Sequence, residues 1–181
     1  MDRAQTAGPS PKLISGKYAL LAVVAIGLAG AAGGWWYRQS LQRRPLELWG
    51  REAASLMVRA PNVELCRLEA TTNGALSNAI KADGHAYEPL DCVDAGRMPG
   101  FLHLRHSLLN DYSFDWADAA SGEHDWGYLI RFRDDAKTAT LLISRDFGYA
   151  LLVETGAKAC VRPVGPGIEQ VLGDRSRASG F

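Results

Sequence analysis

Cysteine is scarce in this sequence of 181 residues, and its three cysteines, Cys66, Cys92 and Cys160, lie far apart. None of them forms the close CxxC pair that zinc sites and thioredoxin-like motifs need. The odd count fits one disulfide and one free thiol, or three buried thiols, and the second is the simpler interpretation because free cysteine is among the most buried residue types. A disulfide between Cys66 and Cys92 is expected only if the two segments that hold them pair as strands.

An excess of charge of either sign is also missing. The chain has 20 Lys and Arg and 20 Asp and Glu, so its formal net charge is zero. A nucleic-acid-binding protein usually shows a basic excess, and we therefore predict no nucleic acid among the partners. The composition, with 47% hydrophobic and 22% charged residues, is that of a folded protein.

Familiar catalytic and nucleotide-binding motifs are absent as well. The sequence contains no G-x-S-x-G, P-loop or G-x-G-x-x-G element. Their absence counts against α/β-hydrolase, nucleotide-binding and dinucleotide-binding functions. No cofactor is predicted.

One long apolar run is present near the N-terminus. Residues Tyr18 to Tyr37 are 20 positions without a charge, and about 20 helical residues cross the hydrocarbon core of a bilayer. Tyr18 stands at one end, and Trp35, Trp36 and Tyr37 stand at the other, as in the aromatic belts of spanning helices. The sequence therefore predicts a single transmembrane helix over residues 18–37 that uses the lipid bilayer as its partner.

A cleaved signal peptide is the competing interpretation of the same run. Lys12 and Lys17 would form its basic region, Ala19 to Leu28 its apolar core, and Ala29-Gly30-Ala31 its cleavage site. The length of the run and the aromatic residues after that site favour the uncleaved anchor.

The basic residues on the two sides of the span give nearly balanced signals for its orientation in the membrane. Arg3, Lys12 and Lys17 precede it, and Arg38, Arg43, Arg44 and Arg51 follow it. The second group favours a cytoplasmic domain by the positive-inside rule, whereas the signal-like order of the N-terminus favours the opposite side. We expect a single-pass protein of the plasma (inner) membrane whose C-terminal domain is extracytoplasmic, or periplasmic.

A pair of small residues lies within the span. Gly30 and Gly34 form a GxxxG pair, which lets two helices approach closely and predicts a homodimer. The alternative is that such residues merely reflect an Ala/Gly-rich span.

The rest of the chain divides by composition. We predict a disordered tail over 1–17, a juxtamembrane linker and amphipathic helix over 38–61, a folded domain over 62–173 and a frayed tail over 174–181. Pro45 opens the amphipathic helix and Pro61 ends it.

Within the domain, the patterns alternate between the strand and helix periods. Strands are expected at Asn62–Glu69 and His85–Val93, with helices at Thr71–Lys81 and Phe101–Tyr112. Pro89 makes the second strand an edge strand or a bulge. Short turns then join three strand-like segments, at Gly127–Arg133, Thr138–Ser144 and Tyr149–Glu154, which predicts an antiparallel meander. Ala159–Val161 adds an edge strand and Ile168–Leu172 a short helix. The predicted fold class is α+β, with a β-meander that carries helices on one face.

His103 and His106 are the most specific polar pair. Three residues apart on the predicted helix, they lie close enough on its surface to bind one metal ion, but a catalytic zinc site needs a third protein ligand. No HExxH-like pattern supplies that ligand, and a solvated helix face is the simpler interpretation.

Two further groups suggest an interaction surface. The acidic stretch Asp111–Asp125 contains Trp116 and Trp126, while Arg131 and Arg133 alternate with apolar residues on one strand. Carboxylates beside aromatics can bind cations or sugars, and arginines can hold an acidic partner. The simpler alternative for each group is ordinary solvated surface.

These observations favour a membrane-anchored, non-catalytic interaction or assembly module that docks a protein partner near the membrane. The alternative is a membrane-bound, metal-dependent hydrolase that uses His103 and His106.

Overall fold

The computed structural model describes residues 16–71 and 78–178. The chain divides into two compact units, Met1–Gln39 and Ser40–Phe181. The first unit holds most of helix α1 (Gly16–Trp49), including an apolar segment, Leu20–Tyr37, that is long and apolar enough to cross a membrane. None of that segment is buried against other parts of the protein.

Pro45 does not open a new helix, which corrects the prediction from sequence. It lies inside α1, and the break comes instead at Gly50. Gly50 has a φ of +79°, a conformation that costs glycine little and other residues more. The following helix, α2, runs over Arg51–Arg59.

A mixed α and β architecture makes up the second unit. Among the described residues, the strands form a seven-stranded antiparallel sheet in the order β2-β3-β1-β4-β5-β6-β7. The strands are β1 (Asn62–Thr71), β2 (Ile80–Ala82), β3 (His85–Asp94), β4 (Trp126–Arg133), β5 (Thr138–Ser144), β6 (Tyr149–Leu152) and β7 (Ala157–Cys160). The helices that follow α2 are α3 (Phe101–Ser107) and α4 (Gly165–Ala178), and short 3-10 turns lie at Asp111–Ser113 and Arg162–Val164. The expected meander is confirmed as β4, β5 and β6.

Two expectations about local structure are wrong. Thr71 belongs to β1 and Ile80 begins β2, so neither is helical, while residues 72–77 of that predicted helix lie outside the described residues. The helix predicted up to Tyr112 ends at Ser107. Just beyond this end, the side-chain amide of Asn110 donates to the backbone carbonyl of His106 at 2.8 Å. Helix α4 extends to Ala178, within the segment predicted as a frayed tail, and residues 179–181 lie outside the described residues.

The two faces of the sheet bury different clusters. One face packs against α2, α3 and α4 and includes Val63, Ile130, Phe132 and Leu141. On the other face, side chains from β1, β3, β4, β5 and β6 pack against one another: Cys66, Leu68, Tyr87, Leu129, Leu142 and Leu151. Such contacts among five strands require the sheet to curl. Lys158 of β7 and Asp83, just after β2, form an ion pair that joins the two ends of the curled sheet.

Candidate functional site

The two histidines of α3 are both exposed to solvent. Among the described residues, no third His, Cys, Asp or Glu converges with His103 and His106 into a group that could hold a metal ion. The structure therefore supplies two ligands at most for a site that needs three.

Arg105, which lies between the histidines, points the other way and is only 9% exposed. Its guanidinium donates to the carbonyl oxygens of Met57 at 2.5 Å and Ala60 at 3.0 Å, at the C-terminal end of α2. Burial lowers the pKa of Arg105. The role of Arg105 was not predicted from the sequence, although an arginine beside an apolar helical stripe is the signal that could have indicated it.

The described residues contain one close group of ligand-type atoms, from Glu64, Cys66 and Cys92. Cys66 and Cys92 are joined by a disulfide across β1 and β3, so their sulfurs are not free thiolates for a metal. The bridge sits where β3 has an irregular register opposite β1, and Asp91 there has a φ of +51°. Pro89 lies in the same strand, which pairs with β2 only through its first three residues.

Carboxylates of the acidic stretch mostly have structural partners. Asp118 accepts hydrogen bonds from the backbone of Ala120 at 2.9 Å and from the hydroxyl of Tyr149 at 3.0 Å, and its pKa is lowered accordingly. Asp125 pairs with Arg145 at 2.8 Å, and Glu123 lies 3.7 Å from His85. These contacts hold the loop to the sheet.

Trp126, predicted to contact a partner, is fully buried instead. Its indole N–H donates to Asp83 at 3.1 Å. Burial acts to raise the pKa of Asp83, but hydrogen bonds from Lys158, His124 and Trp126 outweigh it and bring the pKa below its ordinary value of 3.8. The sequence could not reveal this because Asp83 and Trp126 are far apart along the chain.

The remaining thiol, Cys160, is 1% exposed. Burial raises the pKa of its sulfhydryl group, and nearby Asp118 acts in the same direction. A thiol in this state is protonated at neutral pH and is a poor nucleophile.

An open cleft of about 390 Å³ lies at one end of the sheet, beside the disulfide. We call it the arginine cleft; its lining residues are Asn62, Val63, Glu64, Cys92, Val93, Asp94, Arg131 and Arg133. The strand register places these residues together: Glu64 of β1 is opposite Asp94 of β3 on one side and Arg131 of β4 on the other. Asn62 is opposite Arg133.

The charges of the arginine cleft are unevenly matched. Arg131 donates to Glu64 at 2.8 Å and is half-buried. Arg133 is exposed, and we find no ion pair or side-chain hydrogen bond between it and any described residue. The cleft thus holds a paired arginine next to one whose donors are open to solvent.

A second cleft, of about 500 Å³, is lined by Glu123, His124, Asp125, Ser144, Arg145 and Asp146. Its polar groups are engaged with one another. Arg145 pairs with Asp125, and Asp146 accepts from the hydroxyl of Ser144 at 2.5 Å. The His124 ring stacks on Tyr149 with 3.9 Å between ring centres. This second cleft therefore leaves fewer polar groups free to bind a partner than the arginine cleft does.

Trp116, unlike Trp126, reaches the surface and is 37% exposed. Its ring packs against Phe114, and its indole N–H donates to the carbonyl of Asp111 at 3.2 Å. The guanidinium of Arg44 lies 5.8 Å from its ring centre. Tyr112, in the adjoining 3-10 turn, is 64% exposed.

Comparisons with protein-family models, curated proteins and solved structures found no match to this chain.

Proposed function

We propose that this protein is a single-pass membrane protein whose folded domain docks an acidic protein partner in the arginine cleft. The observation that carries the docking proposal is the cross-strand set of Glu64, Arg131 and Arg133, in which one arginine is paired and the other is open. The proposed role is non-catalytic assembly near the membrane.

The membrane part of the proposal is supported by the apolar segment Leu20–Tyr37. Its large side chains are exposed, among them Leu20, Ile26 and Leu28. Exposing a continuous apolar segment of this length to water is unfavourable, since each buried CH₂ group gains about 0.8 kcal/mol. Aromatic residues at both ends fit the interfacial layers.

The side of the membrane is inferred from cysteine chemistry. The Cys66–Cys92 disulfide would persist in an oxidising compartment such as the periplasm, and it would be reduced in most cytosols. We therefore place the domain on the extracytoplasmic face of the plasma membrane, as the signal-like N-terminus also favours.

We propose an acidic partner because the donors of Arg133 in the cleft are open to solvent. Arginine presents a planar fork of donors that suits carboxylates, and such a contact can be bidentate. Glu64 already neutralises Arg131 in part, so Arg133 is the residue available to a partner's Asp or Glu side chain.

Photocross-linking in intact cells tests this proposal. A photoreactive phenylalanine analogue at Asn62, opposite Arg133, should give a cross-link to one protein, with the linked peptide rich in Asp or Glu. Arg133→Glu should abolish that cross-link. Arg59→Glu, an exposed arginine of α2 outside the cleft, is the matched control and should leave it unchanged. A cross-link that survives Arg133→Glu, or none at all, would contradict the docking role.

Dimerisation through Gly30 and Gly34 stays a prediction. Added Cβ atoms at these positions would meet nothing within 4 Å in the single chain, so the surface is open to a second helix. The hydrolase alternative is not favoured, because His103 and His106 have no third ligand among the described residues.

A further inference from the structure

An exposed aromatic and basic patch lies where the domain begins. It consists of Arg44, Tyr112 and Trp116, which we call the aromatic patch. Large, exposed aromatic side chains are often found where a protein contacts a lipid bilayer or another protein. Here the guanidinium of Arg44 lies 5.8 Å from the ring centre of Trp116, and Tyr112 is exposed in the adjoining 3-10 turn.

The covalent chain limits how far this patch can lie from the end of the apolar segment. Arg44 follows Tyr37 by seven residues. Even fully extended, seven residues span no more than about 25 Å. Because Arg44 contacts Trp116, both residues stay within reach of the head-group layer of any bilayer that holds the apolar segment.

The chemistry of the patch matches that layer. Trp and Tyr prefer the interface between hydrocarbon and water, where the ring is shielded and the N–H or O–H remains hydrated. Arginine beside them attracts anionic lipid head groups. The indole N–H of Trp116 is already satisfied by Asp111, so the ring can enter the interface without leaving a donor unpaired.

We propose that the aromatic patch is a lipid-docking surface, which rests the Trp116 ring in the anionic interface of the same membrane that holds the anchor. This inference rests on the proposed membrane anchoring. It is independent of the arginine cleft. Docking would restrict the tilt of the domain and so fix which way its cleft faces.

Tryptophan fluorescence of the full chain tests the proposal directly. In the Trp35→Phe/Trp36→Phe variant, Trp49 and Trp126 remain, but they are 1% and 0% exposed, so collisional quenching reports mainly on Trp116. The variant is reconstituted into phosphatidylcholine vesicles with one quarter phosphatidylglycerol. A matched variant that also carries Trp116→Phe supplies the background.

Lipids brominated near the glycerol end of the acyl chain should quench the Trp116 signal strongly, because the ring would lie at the interface. Aqueous iodide should quench it little. The opposite pattern, strong iodide quenching without bromolipid quenching, overturns the proposal and would leave a protein partner to cover the patch. Arg44→Glu should reduce bromolipid quenching in anionic vesicles more than in pure phosphatidylcholine; equal loss in both would contradict the charge argument.

Failure of this inference is distinguishable from failure of the anchor. The same vesicles are floated on a density gradient after washing at alkaline pH. A chain that floats but exposes Trp116 to iodide retains its anchor and lacks lipid docking. A chain that does not float refutes the anchor itself.

Discussion

Lys158 and Asp83 lie at opposite ends of the strand order, yet their side chains form an ion pair. The Asp83 side chain is 8% exposed and also accepts hydrogen bonds from the backbone of His124 at 3.2 Å and the indole of Trp126 at 3.1 Å. One carboxylate thus ties β7, the loop before β4 and the β2–β3 turn together. The junction connects the two ends of the curled sheet.

Replacing Asp83 should show how much the junction contributes. Asp83→Ala would leave the Trp126 N–H without its acceptor and the Lys158 ammonium with only the carbonyl of Gly122. We expect the free energy of unfolding to fall by about 2–4 kcal/mol. Asp83→Asn is the matched control, since Asn tolerates the φ of +51° at this position. It should lose only about 1 kcal/mol. Urea unfolding of the protein in mild detergent measures both. An unchanged stability of Asp83→Asn would contradict a contribution from the carboxylate charge, and equal losses in the two variants would contradict one from the hydrogen bonds that Asn can still accept.

Acid should remove the same contribution. Because the pKa of Asp83 in the folded state lies below its ordinary value of 3.8, its ionised form stabilises the fold fully above about pH 4–5. That contribution is lost as pH falls through the lowered pKa. The difference in unfolding free energy between the natural chain and Asp83→Asn should therefore be constant above pH 5 and shrink below pH 4. A difference that stays constant down to pH 2 would argue against a lowered pKa.

Helix α3 offers a test that separates structural from metal-binding roles. Arg105→Ala would leave the carbonyls of Met57 and Ala60 without donors, and should cost about 3 kcal/mol of unfolding free energy. Arg105→Lys restores a charge without the planar fork, so it should recover part of the loss. His103→Ala and His106→Ala, at exposed positions, should each change stability by less than about 0.5 kcal/mol. Zinc that copurifies with the natural protein but with neither histidine variant would support metal binding by His103 and His106.

Reduction of the disulfide should weaken the domain. Cys66 and Cys92 are 26 residues apart in sequence, and a bridge that closes such a loop stabilises by about 3–4 kcal/mol. A reductant should lower the urea midpoint of the natural chain but not that of Cys66→Ser/Cys92→Ser. If the urea midpoint of the natural chain is the same with and without reductant, the disulfide contributes nothing to stability.

The period of the hydrophobic pattern predicted the longest strands well. In β4, Ile130 and Phe132 face the helices while Leu129 and Arg131 face the other way, and alternation of that kind is visible in sequence. The three residues Ile80–Ala82 are too few to show a period, so β2 was mistaken for helix. Pro45 suits a first helical turn, but the conformational freedom of Gly50 decided where the helix ends.

The candidate site was predictable only in part. Arg131 and Arg133 were identified from their alternation on one strand, but Glu64, Asp94 and Cys92 join them only through strand pairing between β3, β1 and β4. Trp116 and Trp126 are equivalent in sequence, whereas the fold exposes one and buries the other. Long-range contacts of this kind carry no local signal.

Alkaline carbonate extraction of membranes tests whether this chain is an integral membrane protein, because the treatment strips peripheral proteins and leaves integral ones in the pellet. We expect the intact chain, with Leu20–Tyr37 still attached, to stay entirely with the membrane pellet. Recovery of the same intact chain in the supernatant would contradict this expectation.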